Sequence, residues 1–229
     1  MPADSSALVD EVRVPADVVD LASFRRWAAS DSFPERGKIS FLGGEVEVDM
    51  SPENINAHNT VRGCLTIALG LLADEEGSGQ VFPDGAMVIN VDAELANEPD
   101  LVFVRFDSLE SGRVTIGEPG EDPNRAIELI GSPDLVVEVV SPSSVRKDKR
   151  DLRERYFRAG VQEYWLIDAR REPLSFEILV PADHGFEPAP TDPEGYVTSP
   201  LWNRRFRLVR QPHRTGLVRY RLESVSALQ

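Results

Sequence analysis

The stretch Pro133-Asp134-Leu135-Val136-Val137-Glu138-Val139-Val140-Ser141-Pro142 constrains this chain more than any other. Leu135 to Val140 is short, rich in valine and bounded by proline, which predicts a strand covered on both faces of a sheet. Glu138 interrupts it. An ionised carboxylate inside a sheet costs several kcal/mol, roughly, unless a cation, a metal ion or dense hydrogen bonding compensates it. Stability does not explain such a residue, so the fold must bring Glu138 a partner.

With 229 residues the chain can bury a sizeable core as one large domain or a domain with an appendage. No run of about 18 apolar residues occurs, and Met1 to Leu21 has neither a basic start nor an apolar centre. The expectation is a cytoplasmic protein with no membrane partner. Cys64 is the single cysteine, which rules out an internal disulfide and a cysteine-rich zinc cluster. The net charge of −14 opposes nucleic-acid binding at first sight. Its distribution weakens that objection. Val145 to Arg158 carries seven bases against three acids, and Arg204 to Arg221 carries seven arginines and no acid, together 14 of the 25 basic residues. A local basic surface on an acidic body is therefore available, although either stretch could equally be a solvated face.

Along the chain, residues 1–16 are small, acidic and unpatterned and predict a loose tail. Val18 to Ala29 has helical apolar spacing. Gly43-Gly44 between two alternating runs, Lys38 to Leu42 and Glu45 to Met50, predicts a β-hairpin. Ser51-Pro52-Glu53 resembles a helix start, and Val61, Cys64, Leu65, Ala68 and Leu72 continue one apolar stripe up to Gly77. Cys64 on that stripe reads as core, and His58 lies near the helix start as a candidate accessory residue. Ala86 to Val91 and Leu101 to Val104 predict strands, and Phe106 to Ile127 a surface excursion. A basic helix is expected from Ser141 to Ala159, then a hairpin of Glu163 to Asp168 with Ser175 to Val180. A loop over Pro181 to Pro200 and one or two edge strands complete the chain.

Strands joined through an excursion tend to be antiparallel neighbours, so that the start of one lies beside the end of the next. Asp100 heads its strand and Glu138 is near the end of its own, so the two should meet. Asp134 shares the face of Glu138 but lies about 13 Å away along the strand at ~3.3 Å per residue, which makes it a strand-entry or turn residue rather than a ligand. Two converging carboxylates in a low dielectric need a cation between them, and Mg²⁺ or Mn²⁺ fits oxygen ligands. At ~100° per residue, Val145, Lys149, Leu152 and Tyr156 fall on one stripe of the following helix, so Lys149 is expected to face inward, while Lys147 falls nearly opposite and should point to water. Acid, acid, lysine and metal together suit phosphodiester hydrolysis. The structural alternatives are a solvent-reaching stem for Lys149, a turn aspartate for Asp100 and a buried arginine pair for Glu138.

Three blocks carry a family resemblance: Glu98-Pro99-Asp100-Leu101-Val102-Phe103-Val104, the stretch from Ser132 to Ser143, and Tyr156 with Ala159 to Asp168. Together with Asp49-Met50-Ser51-Pro52 and His58, they resemble the Uma2 family, over about Leu21 to Val180. The resemblance implies the restriction-endonuclease-like PD-(D/E)XK fold and a metal-dependent nuclease scaffold. It implies Asp100, Glu138 and the main-chain carbonyl of Val139 as metal ligands. Val140 stands where an Glu-x-Lys motif has its lysine, and Leu152 where family members commonly carry one four residues before the tyrosine. Lys149, one turn earlier on the same face, is the expected replacement, with Lys147 in reserve.

The expected architecture is α/β: a restriction-endonuclease-like domain over residues 17–180, with a mixed sheet flanked by helices, and a β-rich C-terminal extension over 181–229. The expected activity is Mg²⁺-dependent cleavage of nucleic acid, DNA first, by a homodimer. Asp100, Glu138 and Lys149 would be catalytic, with Arg146, Arg150 and Arg153 on the nucleic acid. The alternatives are a catalytically inactive module of the same fold that binds nucleic acid or protein, and hydrolysis of another phosphate ester.

Overall fold

In a computed structural model the described residues are 12–118, 122 and 124–227. Most of the expected tail (1–11) and part of the expected excursion (119–121 and 123) lie outside them. The first half runs α1 (Leu21–Ala28), β1 (Lys38–Leu42), β2 (Glu45–Asp49), α2 (Thr60–Glu76), β3 (Gly79–Pro83), β4 (Met87–Asn90), β5 (Leu95–Asn97) and β6 (Leu101–Arg105). Next come α3 (Phe106–Glu110), β7 (Val114–Ile116), β8 (Glu128–Gly131), β9 (Leu135–Val139), α4 (Leu152–Arg158), β10 (Glu163–Asp168) and β11 (Ser175–Ala182). The chain ends with β12 (Gly185–Pro188), β13 (Val197–Ser199), β14 (Arg204–Pro212) and β15 (Val218–Ser226). Single π-helical turns, Ile55–Asn59 and Lys147–Asp151, lead into α2 and α4. Among the described residues no helix is long and apolar enough to cross a membrane.

Two mixed six-stranded sheets, ordered β2-β1-β5-β4-β8-β7 and β12-β11-β10-β9-β6-β3, make up the body, and β13-β14-β15 form a third. In the second sheet β9 pairs parallel with β10 and antiparallel with β6. All five residues of β9 are buried, as its sequence requires. Alternation with period two divides its side chains: Leu135, Val137 and Val139 share a core with Val61, Leu65 and Leu69 of α2, while Val136 and Val140 share one with Leu152 and Tyr156 of α4. Glu138 belongs to the α4 side by the same parity.

The register Leu101↔Val137 and Val102↔Val136 continues to set Asp100 opposite Glu138. The expected antiparallel neighbours are therefore present. Several local expectations are corrected. Ser51 does not cap the long helix: Asn54, three residues later, supplies the cap oxygen, accepting from Ala57 N at 2.8 Å at the head of the π-helical turn that leads into it. The 106–127 stretch contains α3 and β7, and the 181–200 stretch contains β12 and β13 rather than loop alone. Short strands of three or four residues among Gly and Pro leave too little periodic pattern to be seen in sequence.

The third sheet shares the α2-side core. Phe103 lies 4.4 Å from Trp202 and Trp165 5.0 Å from Phe206, centroid to centroid. Glu163, buried at the start of β10, ties the same parts together. Its carboxylate accepts hydrogen bonds from Ser199 Oγ at 2.8 Å, Leu201 N at 2.8 Å and Trp165 Nε1 at 2.8 Å. Glu163→Ala strands all three donors away from water, so it is expected to lower the unfolding free energy by roughly 2–4 kcal/mol. Urea unfolding measures this, and a loss below about 1 kcal/mol would show that the carboxylate is not what anchors the extension.

Candidate active site

Asp100 and Glu138 end facing strands inside a cleft of about 410 Å³, whose walls include Lys38, His58, Val139 and Lys147. Both acids are nearly inaccessible, 1% and 4% exposed. Asp100 is surrounded by donors. Lys38 Nζ lies 2.6 Å from Oδ1, and Val139 N–H donates to Oδ2 at 2.7 Å, with His58 Nε2 3.3 Å from the same oxygen. Burial alone would raise this carboxyl, but the His58 hydrogen bond and the Lys38 charge outweigh it and hold Asp100 below the ordinary carboxylate value.

Glu138 meets neutral partners. Tyr156 O–H donates to Oε1 at 2.7 Å and Asn97 Nδ2 to the same oxygen at 2.9 Å. Asn97 is held in turn by Ser40 Oγ, which donates to its Oδ1 at 2.6 Å. Burial, with the Asp100 and Asp148 charges adding to it, pushes Glu138 up to about 8. Two neighbouring acids thus differ in ionisation because the cations stand beside one of them.

Lys38 explains the cleft's charge balance. Burial would lower its ammonium, yet the Asp100 and Glu138 charges raise it above the ordinary lysine value. Glu53, left outside the helix by the Asn54 cap, comes within 3.6 Å of Lys38 and 3.1 Å of Arg62. Burial opposes protonation of His58, but the Asp100 hydrogen bond and charge and the Glu53 charge raise it overall. Among the described residues, Glu53, His58 and Asp100 have ligand atoms all within 4.8 Å of one another. Glu138 is not part of that group.

The lysine expected to face the cleft does not. Lys149 Nζ pairs with Asp168 Oδ2 at 2.8 Å and is 42% exposed, whereas Lys147 lines the cleft. The reason is the π-helical turn Lys147–Asp151, closed by i→i+5 bonding. One extra residue in the turn rotates everything before Leu152 relative to an α-helical count. Leu152 and Tyr156 keep their buried positions, and the inward position passes from Lys149 to Lys147. Asp148, also buried, accepts from Ser144 Oγ; burial pushes it up to about 6 against that hydrogen bond.

Of the other expected residues, His58 sits against Asp100, and Val139 reaches the cleft wall. Asp134 is a turn residue as expected, holding Arg105 N at 2.8 Å and Arg113 at 2.9 Å. Val140 is buried in the α4-side core, where no lysine would be accommodated with its charge in water. Arg146 pairs with Glu47 at 2.9 Å, Arg150 is 81% exposed, and Arg153 turns to the carbonyl of Phe186. Sequence reasoning passed over Lys38, Asn97 and the hydroxyl of Tyr156. The tyrosine had a usable signal: on the inward stripe of a helix its O–H must find a buried partner.

A sequence model of Uma2, described as "putative restriction endonuclease", matches residues 21–201. The chain belongs to the Uma2 family. No curated protein matches it. Among solved structures it resembles a protein from Anabaena variabilis ATCC 29413, described as a putative nuclease belonging to DUF820. That match has a TM-score of 0.60 at 17% identity and covers 80% of this chain and 90% of the other. The shared fold is thus the restriction-endonuclease-like one, and the third sheet's β14 and β15 lie beyond the family match.

The ionisation asymmetry has a measurable consequence in this Uma2 protein. A carboxyl raised on folding contributes stability that is complete below its ordinary value of 4.5 and is lost as pH rises through about 8. Asp148 and His58, also raised, act in the same direction. In EDTA the thermal midpoint is expected to fall between pH 5 and pH 9, and Glu138→Gln to flatten that fall. Identical pH profiles for wild type and variant would contradict the assignment.

Proposed function

We propose that this chain is a metal-dependent endonuclease that hydrolyses phosphodiester bonds of nucleic acid, DNA first. The observation that carries the reading is the meeting of Asp100 and Glu138 at the ends of antiparallel strands, in a cleft that also holds Lys38 and Lys147. The donor set fits a hard divalent cation such as Mg²⁺ or Mn²⁺: carboxylate oxygens of Asp100 and Glu138 and the main-chain carbonyl of Val139. His58 and Glu53, whose ligand atoms lie within 4.8 Å of one another and of Asp100, stand as accessory groups. The chemistry such an ion supplies is Lewis-acid polarisation and charge neutralisation at a phosphodiester.

The chain's own residues have separable tasks. Lys38 keeps Asp100 ionised through the 2.6 Å contact with Oδ1. Tyr156 and Asn97 both donate to Oε1 of Glu138, which anchors that oxygen of a side chain that lines the cleft. Lys147 takes the role first assigned to Lys149: its ammonium orients the attacking water and balances charge that builds up on the phosphoryl oxygens. A two-fold dimer suits cutting both strands of a duplex.

Supercoiled plasmid and labelled single- and double-stranded oligonucleotides, incubated with Mg²⁺ or Mn²⁺, test this directly. Asp100→Asn and Glu138→Gln are expected to reduce cleavage on the order of 10³-fold, and Lys147→Met on the order of 10²-fold. Lys149→Met should cut nearly as wild type. Cleavage by Glu138→Gln at the wild-type rate, or undiminished cleavage in EDTA, would overturn the reading. Duplex binding without any cleavage would favour the inactive binding module.

A further inference from the structure

The cleft is poorly suited to hold a polyanion by itself. Glu53, Asp84, Glu98, Asp100 and Glu138 line it, facing Lys38 and Lys147, on a chain of net charge −14. A nucleic acid must therefore be gripped from outside the cleft, and the arginine-rich C-terminal hairpin is tied through Asn56 to the segment whose His58 lines the cleft. Five of its seven arginines are already committed to acids: Arg204 to Glu76, Arg205 to Asp192, Arg207 and Arg221 to Glu223, and Arg210 to Glu172. Arg214 and Arg219 are exposed and have no ion pair among the described residues. Both stand at the turn joining β14 and β15, Arg219 across from Gln211.

That turn is held in place. His213 N–H donates to Leu217 O at 2.8 Å and Gly216 N–H to His213 O at 3.0 Å, with Gly216 at φ +82°, a conformation that favours glycine. Asn56 clamps it from the other side, accepting from Val218 N at 3.0 Å and donating to Gly216 O at 3.2 Å. Asn56 lies on the same π-helical turn, Ile55–Asn59, that presents His58 to Asp100. One short segment therefore has the cleft on one side and the hairpin tip on the other. Charges on a preorganised tip bind a phosphate backbone without the ordering cost that a loose tail would incur.

We propose that the β14–β15 tip is a backbone-gripping arm, in which Arg214 and Arg219 contact phosphates of a nucleic acid lying across the cleft. The proposal rests on the nuclease reading for its substrate class and goes beyond it in assigning the hold to a segment outside the family match. The shared ligand chemistry is the sugar–phosphate backbone, so DNA and RNA are separate arms of the test.

Fluorescence anisotropy with a labelled DNA duplex and the equivalent RNA duplex, in EDTA and across a salt series, measures the hold apart from cleavage. In the full chain, Arg214→Gln/Arg219→Gln is expected to weaken binding on the order of 10-fold near 0.1 M salt and to reduce the slope of log K against log[salt] by about 1.8, at ~0.9 per phosphate contact on duplex DNA. Asn56→Ala, which changes no charge, should also weaken binding by freeing the tip. An unchanged thermal midpoint establishes that the exposed double variant is folded. Wild-type affinity and slope in the double variant, or no binding of either duplex by the wild type, would overturn the arm. If the variant binds as wild type while wild-type protein cleaves, the arm alone fails. If binding falls as expected but nothing cleaves under any metal, the arm stands and the nuclease reading fails.

Discussion

Asp100 and Glu138 bring two buried carboxyl groups into one cleft at facing positions of antiparallel strands, and the neighbouring structure is arranged to make that tolerable. Like charges in a low dielectric cannot both persist without compensation. The fold resolves this asymmetrically. Lys38, His58 and the Val139 N–H gather on Asp100, while Tyr156 and Asn97 give Glu138 partners without charge. The hairpin of β1 and β2, the π-helical turn before α2, the end of β5 and the inner face of α4 each contribute one of these groups.

The two π-helical turns have parallel effects. Each precedes a helix that packs on one face of the β9-containing sheet, and each carries a residue that faces the cleft, His58 before α2 and Lys147 before α4. An i→i+5 turn shifts the side-chain phase against the α-helix that follows it. The helix can then bury its apolar stripe in the core while the preceding turn aims a polar group elsewhere. The phase shift separates the packing task from the chemical one.

The C-terminal hairpin gives the acidic body its positive edge. Most of its arginines neutralise nearby acids and secure the third sheet, a structural use of charge. The two left without acids are at the tip, beside the segment that holds Asn56 and His58. In the proposed arm this tip, tied through Asn56 to the segment that carries His58, supplies the cations that the acidic cleft lacks.

The sequence by itself determined the β9 strand, its antiparallel relation to β6, the meeting of Asp100 with Glu138 and the long α2 helix. Those features depend on local periodicity and on the order of adjacent strands, both of which are written along the chain. His58 was visible because it lies one turn before an apolar stripe. Tertiary structure alone decided the rest. Lys38 is 62 residues from Asp100 in sequence, and Asn97 is 41 from Glu138, so no local pattern links them. Lys149 was misplaced because a count of 3.6 residues per turn does not register a π-helical turn, whose extra residue hands the inward position to Lys147. Spacing along the chain specifies which residues share a face only where the helix type is known, and here the helix type was settled by packing.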